Sequence, residues 1–363
     1  GCHFDPNQNL TFARVLRNEG YQTAIAGKWQ INDFRLQPKV LAEHGFNEWC
    51  MWTGYETGNP PSAERYWDPY IHTNDGSRTY EGQFGPDIYT DFLIDFMERN
   101  QNSPMLLYFP MCLTHAPFVP TPDEPNASGN EDCFKAMVRY TDKLVGRLVQ
   151  ALEQLGIRER TYVFFTTDNG TAGSITGRLN GRKVRGGKGK LTENGIREPF
   201  IVSCPGKIPA GSSTEALTDF TDLFPTFLDL AGAEAPEGWT IDGHSLADVL
   251  HGTATRSPRD WVLSMGGGEA TFDGERVIPE KGFADRAICG ERYKIIYTDN
   301  GTTSLFNLER DPGEEYNLLD NPPDEAAQAL EKFEAVARSF PERDAAPRYK
   351  PNPRQEWDLS LKR

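Results

Sequence analysis

Apolar positions follow two different spacings along the first two thirds of the chain. Short apolar runs typical of buried strands alternate with longer segments whose apolar residues recur at helical spacing. The predicted strands are 21–26, 105–109 and 162–165, and the predicted helices are 11–20, one beginning at 86, 134–155 and 219–231. This strand–helix alternation predicts an α/β fold with a large sheet sandwiched by helices.

The pattern changes near residue 252. Short strands separated by turns are predicted at 261–264, 286–288, 293–297 and 304–308, and a helix at 325–338. We therefore predict an α/β domain over 1–251, a smaller C-terminal α+β domain over 252–340, and a charged, proline-rich tail over 341–363. Residues 50–80, rich in Trp, Tyr, Gly, Pro and Asn, read as a long loop whose aromatic side chains pack on the domain rather than stack on sugars.

Composition narrows the classes of partner. The net charge of −15 argues against general nucleic-acid binding. No apolar run approaches the ~18 residues that span a bilayer. The six cysteines are scattered without a C-x-x-C pair, which excludes a zinc ribbon and leaves the disulfide state and compartment open.

The stretch 166–200 carries the densest candidate chemistry. Asp168 and Asn169 follow the 162–165 strand, and their two hard oxygens suit Ca²⁺ or Mg²⁺ at the edge of an α/β sheet. Residues 171–190 contain six Lys or Arg and no acid, and Lys188 sits in a Gly-Gly-Lys-Gly run that lets backbone approach a ligand. Each motif alone is usually a turn or a loop. Together they predict a metal-assisted site for an oxyanion.

These motifs resemble those of the type I sulfatases. Asp-Asn-Gly at 168–170, Gly-Gly-Lys-Gly at 186–189, the run that ends with Pro205-Gly206, Gly-Lys-Trp-Gln at 27–30 and Thr-His-Ala-Pro at 114–117 all have counterparts in that family. The resemblance implies catalytic roles for Lys28, His115 and Lys188, substrate contacts from Gln30, His115 and Lys188, and metal ligation by Asp168 and Asn169. Gln30 replaces the usual family His, and a Gln cannot exchange a proton near pH 7.

The resemblance also implies a formylglycine nucleophile, made from the first residue of a Cys/Ser-x-Pro/Ala-x-Arg motif, and a Ca²⁺ or Mg²⁺ ion. The runs that begin at Cys2, Cys204, Ser257 and Cys289 do not match that motif. By family order it precedes the 11–20 helix, so we expect the chain to lack the N-terminal section of a sulfatase and to be inactive alone. The paired acids that complete the metal site are expected in the same section.

The expected substrate is an aryl or carbohydrate sulfate ester, either a small molecule or a glycan. The family suggests a periplasmic or secreted protein, and the absence of a visible signal peptide leaves a cytoplasmic location open. Two alternatives remain: a phosphoester or phosphonate hydrolase of the wider alkaline-phosphatase-like superfamily, and an inactive relative that binds an anionic glycan. The individual substrate, the Cys or Ser origin of the nucleophile and the oligomeric state are open.

Overall fold

The computed structural model describes residues 4–52, 64–266, 271–272, 277–278 and 281–345, which form two compact units. The first unit comprises residues 4–161 with Phe227–Thr240, and the second comprises Tyr162–Thr226 with residues 241–345. The predicted domain boundaries at 251 and 340 stay predictions.

The first unit is built on a five-stranded sheet of order β4-β3-β2-β1-β5. Strand β1 is parallel to both neighbours, β2 and β5, whereas β3 and β4 extend the sheet in antiparallel pairing. The five residues in the middle of β1 are buried, as expected for a central strand with helices on both faces. The strands are β1 Gln22–Lys28, β2 Glu48–Trp52, β3 Tyr70–Thr73, β4 Gly76–Thr79 and β5 Met105–Tyr108.

Alternate residues of β1 enter two different cores. Ala24 and Ala26 pack with Leu93 and Met137 of two long helices, while Ile25 packs on the other face with Ala13 of the first helix. The helices of this unit are α1 Phe12–Asn18, α2 Val40–Glu43, α3 Gly85–Asn100 and α4 Gly129–Gln154. Thr11 caps α1 as predicted, because its side chain accepts a hydrogen bond from the Arg14 amide.

Among its described residues, the second unit has three two-stranded sheets and one four-stranded sheet. Strand β6 Val163–Thr166 pairs with β9 Phe200–Ser203, and β7 Thr176–Leu179 pairs with β8 Arg182–Arg185, both antiparallel. Short helices α5 Glu193–Ile196 and α7 Ala247–Leu250 also belong here, and α6 Leu223–Ala231 begins here and continues into the first unit. The short strands β11 Thr271–Phe272 and β12 Val277–Ile278 form a separate pair.

The predicted C-terminal α+β elements are confirmed. Antiparallel strands run in the order β10-β13-β14-β15, and helix α8 packs on β14 and β15 around a core that includes Ile295 and Phe333. The bounds are β10 Val262–Met265, β13 Arg286–Cys289, β14 Tyr293–Thr298, β15 Gly301–Asn307 and α8 Asp324–Ser339. At the start of the tail, Asp344 accepts hydrogen bonds from Ala284 and Arg286. The rest of the tail lies outside the described residues.

Two expectations were wrong: the loop at 50–80, and the burial of the 105–109 and 162–165 strands. The predicted 50–80 loop contains the end of β2 and all of β3 and β4, because strands of four residues joined by a tight polar turn leave too little apolar periodicity. Trp52 and Tyr66 are buried, which confirms packing for these two, while Tyr55 lies outside the described residues. The runs 105–109 and 162–165 are strands but only partly buried, and Tyr108 is 44% exposed.

Within the described residues, no helix combines the length and apolar character that crossing a bilayer requires. The five cysteines that fall in the described ranges, Cys50, Cys112, Cys133, Cys204 and Cys289, are buried free thiols. Burial raises the pKa of Cys112 to about 12, so this thiol stays protonated at neutral pH.

Candidate functional site

Lys28 is the last residue of β1, and the glycine before it fixes where that strand ends. Gly27 has φ +124°, and a Cβ there would lie 2.2 Å from the carbonyl oxygen of Pro110. The Lys28 amide donates to that same oxygen at 2.8 Å. A side chain at 27 would therefore push β1 away from the segment that follows β5. Lys28 is half-buried at this junction, and Gln30 is exposed just beyond it.

Buried Tyr66 anchors the segment that carries His115. Its hydroxyl lies 2.8 Å from the carbonyl oxygen of Cys112 and 2.6 Å from that of His115. Burial raises the pKa of Tyr66, so the hydroxyl remains a donor to these carbonyls. The backbone is thus held at two points, and the exposed His115 side chain is presented from a fixed turn.

Arg65 is a cation beside His115 that the sequence pattern did not reveal. One of its guanidinium nitrogens lies 3.2 Å from Nδ1 of His115, and its guanidinium carbon lies 4.5 Å from the centre of the Trp52 ring. Nδ1 also lies 2.6 Å from the carbonyl oxygen of Ala116. These contacts require opposite roles: Nδ1 accepts from Arg65 when unprotonated and donates to Ala116 when protonated. Nδ1 therefore has a partner in either state.

A cavity of about 200 Å³ borders the Lys28 end of the sheet. Aromatic and apolar side chains form most of its wall, and Lys28 is the charged residue among them. The lining includes Phe4, Phe12, Lys28, Trp29, Tyr108 and Pro110. An ammonium beside apolar walls meets less competing water than one on an open surface, which strengthens its attraction for an anion.

In the second unit, Asp168 and Asn169 directly follow β6, as predicted. The Thr167 hydroxyl donates to Oε2 of Glu198 at 2.6 Å, while Oε1 is buried without a hydrogen-bond partner among the described residues. Burial raises the pKa of Glu198, and the neighbouring Asp168 charge raises it further. Two crowded carboxylates with an unsatisfied oxygen and a neighbouring amide form a donor set that fits a hard divalent cation. The described residues contain no cluster of three His, Cys, Asp or Glu side chains with metal-binding geometry.

Glycine-to-backbone packing joins the Asp168–Asn169 loop to the loop that carries Lys188. The Gly170 amide donates to the Gly195 carbonyl at 3.1 Å, and the Lys188 amide donates to the Thr171 carbonyl at 3.1 Å. A Cβ at Gly170 would lie 2.1 Å from the Asn194 carbonyl oxygen, and one at Gly186 would lie 2.1 Å from that of Ala172. Within this unit the loop that carries the predicted metal ligands is thus hydrogen-bonded, through its backbone, to the loop that carries the predicted anion-binding lysine.

A buried ion cluster connects this loop to the four-stranded sheet. Lys294 of β14 is fully buried, with Nζ 2.7 Å from Oε1 of Glu314 and 3.3 Å from Oε1 of Glu193. The Glu193 amide donates to Oε2 of Glu314 at 2.6 Å. Glu193 begins α5, whose Gly195 packs on the carbonyl oxygens of Gly187 and Lys190. The C-terminal sheet therefore buttresses the loop on both sides of Lys188.

Beyond the four runs that do not match the nucleophile motif, one run of the chain fits it as Ser-x-Pro-x-Arg. It begins at Ser339 and ends at Arg343. Ser339 is the last residue of α8, and its hydroxyl donates to the carbonyl of Val336 at 2.6 Å. The next residue, Phe340, packs edge-on against Trp261 at 5.8 Å between ring centres. Ser339 therefore ends a helix and Phe340 packs on the core of the four-stranded sheet, which gives these two residues structural roles.

The sulfatase family model matches residues 3–233, and the model described as N-sulphoglucosamine sulphohydrolase, C-terminal, matches residues 187–336. The chain belongs to the sulfatase family. The first match alone spans more than half of the sequence and contains every predicted site residue. The recognition of a type I sulfatase is therefore confirmed.

The names of curated relatives agree with membership of the sulfatase family. Arylsulfatase A of Bos taurus is 31% identical over 96% of this chain and 74% of its own length, and N-acetylgalactosamine-6-sulfatase of Canis lupus familiaris is 32% identical over 68% and 49%. The chain thus spans about half the length of the second relative. A solved structure of BT4656 in complex with its substrate D-glucosamine-2-N,6-O-disulfate superposes with TM-score 0.68 at 19% identity, covering 92% of this chain and 84% of that one. This likeness confirms the α/β sulfatase fold with its smaller C-terminal domain.

The predicted site residues fall into two sets. Lys28, Gln30 and His115 lie in the first unit, and Asp168, Asn169 and Lys188 lie in the second. Convergence of the two sets on one ligand stays a prediction. Sequence reasoning missed Arg65, Glu198 and the Lys294 cluster. The one available signal was the acidic residue Glu198 directly before the uncharged run 199–204. The other contacts join residues far apart in sequence.

Proposed function

We propose that this protein hydrolyses a sulfate ester, with Lys28, His115 and Lys188 as the groups that contact the sulfate. The observation that supports this best is the backbone hydrogen bonding between the Asp168–Asn169 loop and the Lys188 loop, because one loop carries a carboxylate and an amide and the other carries an ammonium. Two loops that carry these groups suit an anion held between a metal ion and a lysine.

Each lysine has a distinct setting for the same task. Lys28 ends a buried strand beside an apolar cavity, and Lys188 is exposed on a loop whose backbone is fixed by neighbouring glycines. Both ammonium groups donate charged hydrogen bonds to sulfate oxygens, each worth roughly 1.5–3 kcal/mol. The fixed backbone of each lysine lowers the entropy lost when its side chain engages the anion.

His115 supplies the proton for the leaving oxygen. Its Nδ1 accepts from Arg65 or donates to Ala116, so the ring retains a partner as its protonation changes. General acid catalysis by such a group contributes typically ~10²–10⁴-fold. Gln30 donates or accepts a hydrogen bond to the substrate and takes no part in proton transfer.

Asp168 and Asn169 would hold a divalent cation, Ca²⁺ or Mg²⁺, with Glu198 as a neighbouring acid. When bound, this ion neutralises charge on the sulfate oxygens and polarises the ester. We propose that the nucleophile is a formylglycine and that the 363-residue chain alone does not turn over. The substrate is an aryl or carbohydrate sulfate ester, and the protein is periplasmic or secreted.

The test combines binding with turnover. Isothermal titration of the chain with sodium sulfate in the presence of Ca²⁺ should show binding that is lost in Lys188→Ala and kept in Lys190→Ala. The chain alone should release no nitrophenol from 4-nitrophenyl sulfate above the buffer blank. Equal loss of sulfate binding in both lysine variants would contradict the placement of Lys188.

Three turnover results would revise the proposal. Activity of the chain alone that Ser339→Ala abolishes would place the nucleophile at the end of α8. Faster release from 4-nitrophenyl phosphate than from the sulfate, in protein that carries a nucleophile, would favour phosphoester hydrolysis. Sulfate binding with no turnover in such protein would leave an anionic-glycan-binding relative.

A further inference from the structure

A cationic hairpin precedes the Lys188 loop and has no part in the proposed chemistry. Strands β7 and β8 pair through a two-residue turn in which Asn180 and Gly181 both have positive φ, the geometry that closes tight hairpins. Arg178 lies directly opposite Lys183, and Thr176 lies opposite Arg185. Because side chains alternate between faces, Arg178, Lys183 and Arg185 share one face.

The three cations on this face are exposed. Within the described part of the chain, no carboxylate lies within ion-pair distance of them. Their hydrogen bonds go to backbone carbonyls: Arg178 donates to Gly181 at 3.1 Å and Arg185 to Gly173 at 2.7 Å. In a protein of net charge −15, three cations on one face with no acid beside them among the described residues are a local reversal of charge.

This arrangement of like charges destabilises the hairpin. Like charges directly across a strand pair destabilise it, and Arg178 and Lys183 form such a pair. The opposite face behaves differently, since Arg182 there donates to the Pro312 carbonyl at 3.0 Å and docks the hairpin. The face of Arg182 therefore contributes to packing. On the face of Arg178 and Lys183 the cations repel each other, and a bound anion would reduce that repulsion.

The hairpin leads straight into the proposed sulfate site. Strand β8 ends at Arg185, three residues before Lys188, and the Gly186 amide donates to the Ile175 carbonyl at 2.9 Å across the base of the hairpin. The hairpin also contains no aromatic residue on which a nucleic-acid base could stack. Its charge and position therefore fit an anionic chain of sugars better than a nucleic acid.

We propose that the face of Arg178, Lys183 and Arg185 binds further anionic groups of a polyanionic oligosaccharide whose one sulfate reaches Lys188. This inference rests on the proposed function and specifies its substrate class: a glycan with several sulfate or carboxylate groups rather than a small aryl sulfate. Binding to this face depends on charge and should weaken as salt rises.

The test compares two double variants of the full chain by isothermal titration with fully sulfated maltohexaose. Arg178→Ser with Lys183→Ser removes the opposed cations. Lys135→Ser with Arg139→Ser is the matched control, because those exposed cations face Glu131, Asp132 and Glu124. We expect the hairpin variant to bind at least about 10-fold more weakly, with a shallower salt dependence, and the control to match the parent.

Two further measurements separate this proposal from a structural role and from the proposed function. The hairpin variant should melt at the same temperature as the parent or higher, since it loses a repulsive pair. Its affinity for sodium sulfate should be unchanged, whereas Lys188→Ala loses sodium sulfate binding and tests the catalytic assignment by itself. Unsulfated maltohexaose should not bind. Unaltered affinity of the hairpin variant for the sulfated sugar, or equally tight binding of a dodecathymidylate, would overturn the proposal.

Discussion

The two sets of candidate residues are held in place by different kinds of structure. Lys28 and His115 lie in what we call the parallel-strand region, β1 and β5 with the segment to Phe118. Here a buried strand and a long helical core fix the backbone. Asp168, Asn169 and Lys188 lie in the glycine-loop region, 167–200, where the strands are partly exposed and the fixing contacts are glycine backbones and a buried ion cluster.

This difference indicates how substitutions should affect each region. The parallel-strand region draws on many apolar contacts, so a single polar change near His115 should alter its chemistry without unfolding it. The glycine-loop region draws on few contacts, and the buried lysine of the ion cluster lies on a strand more than 100 residues further along the chain. Substitutions in that strand should therefore affect Lys188 indirectly, by lowering the stability of the loop that carries it.

The largest effect is expected from Lys294→Ala. This change leaves the partly buried Glu193 and the nearly inaccessible Glu314 side chain without their cation, and breaking a buried ion pair typically costs about 3–5 kcal/mol. Urea unfolding should show that loss, and Lys332→Ala is the control because its partly exposed ammonium lies 3.7 Å from Asp260. A loss below about 1 kcal/mol, the range of a surface pair, would mean that the cluster does not buttress the loop.

Second in size is the contrast between Lys188→Ala and Lys190→Ala in protein that carries the nucleophile. Lys188→Ala should lower kcat/KM for an aryl sulfate by at least about 10²-fold, because it removes a charge placed at the developing anion. Lys190→Ala, on the same loop, should lower it much less. His115→Ala should match Lys188→Ala, and equal losses at 188 and 190 would indicate that the loop acts through general charge.

Much of the parallel-strand region could be predicted from sequence, and for a physical reason. Its helices and β1 have strong apolar periodicity, and its motif residues follow strand ends, so local pattern and site coincide. The contact of Arg65 with His115 was not predicted, because Arg65 lies 50 residues away in a segment whose short strands resemble a loop in sequence. In the glycine-loop region the motif was readable, whereas the hairpin and the Lys294 cluster depend on pairings that no local pattern encodes.

A smaller effect is expected from Arg65→Gln in the parallel-strand region. Loss of the guanidinium removes one partner of His115 Nδ1 while Ala116 remains, so kcat should fall about 10-fold with little change in KM. Arg65→Lys should restore most of kcat, and an unchanged kcat in Arg65→Gln would show that Arg65 acts through packing on Trp52.

The smallest effect concerns acid stability of the parallel-strand region and does not involve the site. Burial lowers the pKa of His72 to about 4, below the usual value of 6.5, and its ring stacks on Phe34 at 4.5 Å between centres. The folded state therefore disfavours the proton that the unfolded chain accepts, so this contribution is complete above pH 6.5 and is lost as the pH falls towards 4. Since one pKa unit corresponds to about 1.4 kcal/mol, reduced by partial access of water, we expect roughly 1 kcal/mol to be lost between pH 7 and 5.5. His72→Gln should flatten that part of the urea-unfolding profile, and a profile equally steep in the variant would assign the loss to other groups.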